Sequence, residues 1–342
     1  MSDSTRSALG ALGSWLLCLA SLAACSSAPS GSPPSATVSA LIAAPAPTVV
    51  SAPLDVVIAS PARSLNFLVV DLALGQGFFA REGLNVQHVT MRSDTAIAGL
   101  VAGQVDLTTS TGSLARAIPT GVPARVLMYM VGAPNHAMYV QPGIKEMKDL
   151  VGQPFGIESP VSDVRVIADA MFRGNGIDPS DVSYRAVGNE RLPALFAGSI
   201  AGTLLAPPED IAAEREGFVR LARARDYVGM PMAGLGAGLQ RTPEDDEKRK
   251  RVLRASLQAL AFVRDNRPAT TQFIAAHHNM DQEEAERAYD SMVWTADGEV
   301  SPESVQLVLN FVERTGDIGR SISPDEIVDY SLLREIRAQP GR

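Results

Sequence analysis

Apolar and polar positions divide the 342-residue chain into three stretches of different character. From about Ala8 to Ala24 the residues are mostly apolar or small, over a length too short for a comfortable bilayer span. Residues 26–53 are serine, alanine, proline, threonine and valine with almost no charge. Such a composition cannot bury enough surface to offset ordering entropy and predicts an extended spacer. From Leu54 onward the pattern becomes periodic.

Leu54 to Ser60 is a short run rich in branched residues and predicts a buried strand. Ser64 through Arg81 carries apolar residues at helical spacing and stops at Gly83. Strands are then predicted at Leu84 to Thr90, Val105 to Thr109 and Arg125 to Val131, with helices at Thr95 to Ala102 and Leu114 to Ile118 between them. The alternation restarts with strands at Phe155 to Glu158, Val182 to Val187 and Thr203 to Ala206, separated by helices at Val161 to Arg173 and Glu190 to Ala197. Strands alternating with helices imply crossover connections and mostly parallel sheets covered on both faces, an α/β class. From Thr242 the pattern is helical, opened by Thr242-Pro243-Glu244 as cap, first-position proline and first-turn acid. Two α/β units and a helical tail predict two lobes, with the tail packed back on the first.

Composition narrows the function. A formal charge of -8 argues against nucleic acid, which needs a basic face. The chain has two cysteines, Cys18 and Cys25. Leu22-Ala23-Ala24-Cys25 reads as a lipobox closing a secretory signal peptide, so Cys18 leaves with the leader and Cys25 takes lipid. The mature body then has no disulfide, no thiolate nucleophile and no cysteine-containing metal site. Acyl chains on Cys25, with no membrane-spanning helix, would hold it at a membrane surface.

Two segments carry a family resemblance. Leu72-Ala73, then Gly75-Gln76-Gly77-Phe78-Phe79-Ala80-Arg81-Glu82-Gly83-Leu84-Asn85-Val86, resembles a signature of periplasmic substrate-binding proteins. Leu100-Val101-Ala102-Gly103-Gln104-Val105-Asp106-Leu107 resembles their next one, and Gly298 to Gln306 resembles their C-terminal helix entry. All belong to the nitrate, sulfonate (taurine) and thiamine-precursor binding group of ATP-binding-cassette transporters, the SsuA/THI5-like or NMT1-like proteins. The resemblance implies a type II two-lobed fold, each lobe a mostly parallel sheet flanked by helices, with a helical C-terminal segment. It implies a monomer that closes on a small solute and passes it to a membrane permease, with no cofactor and no chemistry. A sensor for a membrane kinase would use the same fold. A thiamine-pyrimidine synthase of this fold uses a cysteine-rich iron site that is missing from this sequence. The organisation expected is a leader over 1–24, lipidated Cys25 and spacer over 25–53, lobe 1 from 54–134 and 235–342, and lobe 2 from 135–234. The crossings fall near Gly132-Ala133-Pro134-Asn135 and near Met230 to Gly238.

In such folds ligand meets the carboxyl ends of the strands, where helix N-termini expose unpaired N–H groups. That rule selects Arg63 and Ser64 after the first strand, and Ser93, Asp94 and Thr95 at the next helix start. It adds Ser110, Thr111, Gly112 and Ser113 after the third strand. In the second lobe it gives Ser159, Val161, Ser162 and Asp163, then Pro208 and Glu209. Each hydroxyl or carboxylate also suits a plain helix cap. Arg63 is the obvious cation for nitrate or a sulfonate; Asp94, Glu158, Asp163, Glu190 and Glu209 tilt the site toward a neutral or cationic solute such as an aminopyrimidine. Tyr129 and Phe155 read as core. His277-His278 points to two sides of a helix with no ligand at metal spacing, and is expected on the surface. His136 beside the crossing reads as structural. Gly234-Leu235-Gly236-Ala237-Gly238 lacks dinucleotide spacing, and no nucleophile elbow or P-loop occurs.

Overall fold

The computed structural model describes residues 52–339 except residues 161, 241 and 315–319. The leader, Cys25, the spacer and Val161 therefore lie outside the described residues. No described helix is long and apolar enough to cross a membrane.

The first half-lobe runs β1 (Leu54–Ser60), α1 (Leu68–Gly75), α2 (Phe78–Arg81), β2 (Leu84–Thr90), α3 (Ser93–Val101), β3 (Leu107–Thr108), α4 (Thr111–Ala117) and β4 (Ala124–Val131). The chain crosses and continues as β5 (Ala137–Val140), β6 (Pro154–Ile157), α5 (Asp163–Gly174), β7 (Ser183–Ala186), α6 (Arg191–Phe196), β8 (Gly202–Leu205), α7 (Glu209–Arg215) and β9 (Val219–Arg223). It returns as β10 (Ala233–Gly238) and ends in α8 (Pro243–Asp265), α9 (Arg267–His278), α10 (Gln282–Ser291), α11 (Pro302–Arg314) and α12 (Ser331–Ala338).

Two five-stranded sheets result, ordered β2-β1-β3-β10-β4 and β7-β6-β8-β5-β9. In each, the crossover-connected strands pair in parallel and the lobe-crossing strands pair antiparallel. The sheets are mixed because β10 and β5 enter from the other lobe and so run against their neighbours. β5 and β9 were not announced by periodicity. β5 is four buried residues, too short to show an alternation, and β9 is an arginine-bearing edge.

The glycine run at 234–238 is explained by this topology. β10 is wedged between β3 and β4, and a Cβ at Gly234 would collide with the Met128 carbonyl oxygen. One at Gly236 would collide with the Leu114 side chain. Glycine there allows close backbone approach in a strand interior.

The tail covers the first lobe. α8 packs on α1 and α2, α11 on α4, and α12 on β4. Its start has the expected cap residue, first-position proline and first-turn acids, and closes as a capping box: Thr242 accepts from the Asp245 backbone N–H at 3.1 Å, and Asp245 accepts from the Thr242 N–H at 2.8 Å. Tyr129 and Phe155 are fully buried, as their sequence context predicts.

Candidate ligand-binding cleft

The carboxyl ends of β1, β2 and β3 face those of β6, β7 and β8 through the loops that start α3, α4, α5, α6 and α7. α4 and α5 meet directly there. The Asp163 carboxylate stands over the first turn of α4, where a Cβ on Gly112 would lie 2.9 Å from its Oδ2. One turn further, the Arg116 guanidinium donates to Asp163 Oδ1 and, at 3.3 Å, to Ser113 Oγ. Thus Gly112, Ser113 and Arg116 of one lobe and Asp163 of the other form one cluster. Ser93 joins its edge, donating to Ser110 Oγ at 3.1 Å. Thr111 is buried, and its Oγ1 has no partner among the described residues.

Other expected residues are used locally. Ser162 caps α5, accepting from Arg165 N, and donates to the Ser159 carbonyl at 2.8 Å. Ser159 returns its own N–H to Ser162 Oγ at 3.3 Å. Ser64 accepts from the Asn66 N–H at 3.3 Å in the turn after β1. Asp94 is exposed; the Arg92 guanidinium and the Thr95 N–H at 2.8 Å hold its carboxyl at about 2.

The cation expected at the site has a partner of its own. Arg63 donates to the His277 carbonyl at 2.8 Å, at the C-terminus of α9 where the helix dipole favours a positive charge. The cations set among the cleft loops are Arg116 and Arg191. Arg191, largely buried, donates to the Gly188 and Leu204 carbonyls and lies 3.7 Å from Glu209 and 3.9 Å from Glu158. Burial pushes the Glu209 carboxyl up, partly offset by Arg191. Pro208 precedes α7 beside it. Both arginines were missed because they sit within helices instead of loops, Arg116 in the last turn of α4 and Arg191 at the start of α6. The Ser113–Arg116 spacing of three, one helical face, is the signal that would have found the first.

Behind β1 runs a second polar chain. Thr109 Oγ1 donates to Ser60 Oγ at 2.8 Å, Ser60 Oγ lies 2.6 Å from His88 Nε2, and His88 Nδ1 lies 2.8 Å from Asp71 Oδ1. The order mimics a hydrolase relay, but Ser60 is 1% exposed and no substrate carbonyl can reach it. Its effect is to tie β1, β2 and α1 together. The same Asp71 corrects the reading of the histidine pair: His277 Nε2 lies 3.4 Å from Asp71 Oδ2, and both histidines are half-buried. A helix elsewhere in the sequence supplies the carboxylate that local spacing lacked. Among the described residues no group of three or more histidine, cysteine, aspartate or glutamate side chains could hold a metal ion. His136 is buried at the crossing, and burial, with the positive charge of Arg191, holds it neutral at about 4.

The NMT1/THI5-like family model matches residues 64–269, more than half of the chain. The chain belongs to the NMT1/THI5-like family. No curated protein sequence matches it. Among solved structures, this NMT1/THI5-like chain is similar to the zinc-bound ligand-binding component of an ABC-type import system from Staphylococcus aureus. The identity is 14% and the TM-score 0.69, with 83% of this chain and 99% of that one covered. It is also similar to the periplasmic aliphatic sulphonate-binding protein of Escherichia coli, at 15% identity and TM-score 0.65 over 81% and 92% of the two chains. The periplasmic nitrate-binding protein of Synechocystis gives 14% and 0.68 over 84% and 89%. At these identities the likeness establishes the two-lobed binding-protein fold.

Proposed function

We propose that this chain is the extracytoplasmic solute-binding component of an ATP-binding-cassette importer, tethered through lipid on Cys25. The observation that carries the reading is the Arg116–Asp163 pair. It joins the two lobes across the strand ends, next to the hydroxyls of Ser93, Ser110 and Ser113. A solute entering there would be enclosed as the lobes close about their two crossing segments, and released to a permease as they part.

Ligand class follows from charge. Arg116 is matched by Asp163, and Arg191 by Glu158 and Glu209. Asp163 already occupies the space over the start of α4 that an anion would want. A neutral or cationic small molecule, such as an aminopyrimidine, is therefore favoured over nitrate or a sulfonate. The residues proposed to meet it are Ser93, Ser110, Ser113, Arg116, Asp163 and Glu209.

The test is a thermal-shift screen of the body starting after Cys25. The panel holds nitrate, alkyl and aryl sulfonates, aminopyrimidines, riboflavin-like heterocycles and polyamines. A ligand binding only the folded state at about a hundred times its Kd adds ~2.7 kcal/mol, an easily seen shift. A hit among the aminopyrimidines or polyamines supports the reading. A hit confined to nitrate or sulfonates would overturn the ligand class and keep the binding role.

A further inference from the structure

Where the first crossing meets β9, α7 and α10 there is a cavity of about 340 Å³. It shares no residue with the cluster around Arg116 and Asp163. Its walls come from both lobes: Arg220 and Arg223 on β9, Asp210 on α7, and Arg287, Asp290 and Ser291 on α10.

The sheet bends its own rules to build this cavity. Ala137 and Tyr139 of β5 are two residues apart and so share a face. They pair with Arg223 and Arg220, leaving Leu221 as the extra residue of a bulge. In a regular strand, residues three apart point to opposite faces. The bulge puts both guanidinium groups on one side. Arg287 and Ser291, four apart on α10, present one helix face to them, and Arg225 reaches the Ser291 carbonyl at 3.3 Å.

Charge in the cavity is not balanced. Four arginines face Asp210 and Asp290. Arg220 and Arg287 share the Glu214 carboxylate and both lie near Asp210, while Asp290 is taken by Arg267 at 3.0 Å. The Arg223 side chain has no hydrogen bond or ion pair among the described residues. At the crossing, Asn135 and His136 are 5% and 8% exposed, and Asn135 Oδ1 and His136 Nδ1 are without partners among the described residues. Buried polar atoms of this kind are normally satisfied, by water where nothing else is present. The surplus positive charge selects an anion, and planar guanidinium groups favour one with several oxygens.

We propose that this cavity is a second ligand site, binding a small oxyanion of two or more charges through Arg223 with Arg220 and Arg287. Because α10 and β9 belong to different lobes, occupancy favours the interlobe angle that holds them together.

Titration calorimetry on the full chain at fixed sodium chloride tests it, with inorganic phosphate and inorganic sulfate as separate probes. That pair of arms distinguishes a phosphoryl from a sulfuryl group. Saturable binding of at least one is expected. Arg223→Ala, an exposed and unpaired position, should weaken it by about tenfold or more. Asp210→Asn removes a competing charge and should tighten it severalfold. No saturable binding in the wild-type chain overturns the proposal. So does unchanged affinity in Arg223→Ala, or weaker binding in Asp210→Asn, either of which would put the anion elsewhere.

Discussion

Arg116 and Asp163 sit on different lobes, 47 residues apart in sequence, and their side chains form an ion pair that is mostly shielded from water. A contact of this kind holds only while the lobes are together, so it reports the interlobe angle. Replacing Asp163 by Asn should leave fold stability within about 1 kcal/mol, as expected for a pair that retains some solvent. It should shift the ligand-free molecule toward open forms. Small-angle scattering is the direct check, with a larger radius of gyration for the variant. An unchanged radius would mean that other contacts set the angle.

Gly112, in the first turn of α4, lies directly beneath the Asp163 carboxylate of that pair. A methyl group there would stand 2.9 Å from Asp163 Oδ2 and 3.1 Å from Oδ1. Gly112→Ala should therefore obstruct closure while favouring the α4 helix itself. The expected outcome is an unchanged or slightly higher Tm with affinity for the cleft solute lowered about tenfold or more. A variant that binds as well as the wild type would show that Asp163 moves aside without cost.

The glycines of β10 form a graded series. Gly234→Ala sets a methyl against the Met128 backbone carbonyl, which cannot turn away. Gly236→Ala sets one against the end of the Leu114 side chain, which can. At Gly238 the nearest atom is a carbonyl oxygen at 3.5 Å, ordinary contact. Urea denaturation should give losses of about 3 kcal/mol or more at 234, about 1–3 at 236, and under about 1 at 238. The order across the three matters more than any single value.

The legible parts of the sequence were those whose signal is local. Leu54 to Ser60 reads as a strand from its own residues, and Thr242 to Asp245 reads as a helix start. β9 was hidden because its polar pattern is broken by the bulge at Leu221, and β10 because its glycines answer to β4, more than a hundred residues earlier in the chain. The turns that follow the strands were legible as loops. The partners of the charges near them were not, because Arg63 swings to a carbonyl on α9 while Arg116 reaches a carboxylate on the other lobe. Partner choice of that kind is decided by tertiary packing.

Lipid attachment has its own test. If Cys25 carries the anchor, Cys25→Ser in cells should move the protein from the membrane fraction to the soluble extract, with the body still folded. No described helix can substitute for the lipid as a membrane span. Variant protein that stays with membranes would refute the lipobox.

His136 gives stability a pH dependence whose sign can be worked out. Burial holds its imidazole at about 4, below the ordinary 6.5. Below about 6.5 the unfolded chain takes up a proton that the folded chain refuses. The contribution is therefore complete above 6.5 and is lost as pH falls toward 4. Between pH 7 and pH 5 the loss is about 2 kcal/mol for this group alone. Asp210 acts in the opposite sense, since burial raises its carboxyl to about 6 and the fold favours its neutral form as pH falls. His278, also held at about 4 by burial, adds to the loss. These opposing groups remain in a His136→Gln variant, so the comparison isolates one residue. Urea denaturation at pH 7 and pH 5 should show a smaller drop for His136→Gln than for the wild type, by about 1–2 kcal/mol. Equal drops would mean that His136 accepts a proton in the folded state after all, through water reaching the crossing between the lobes.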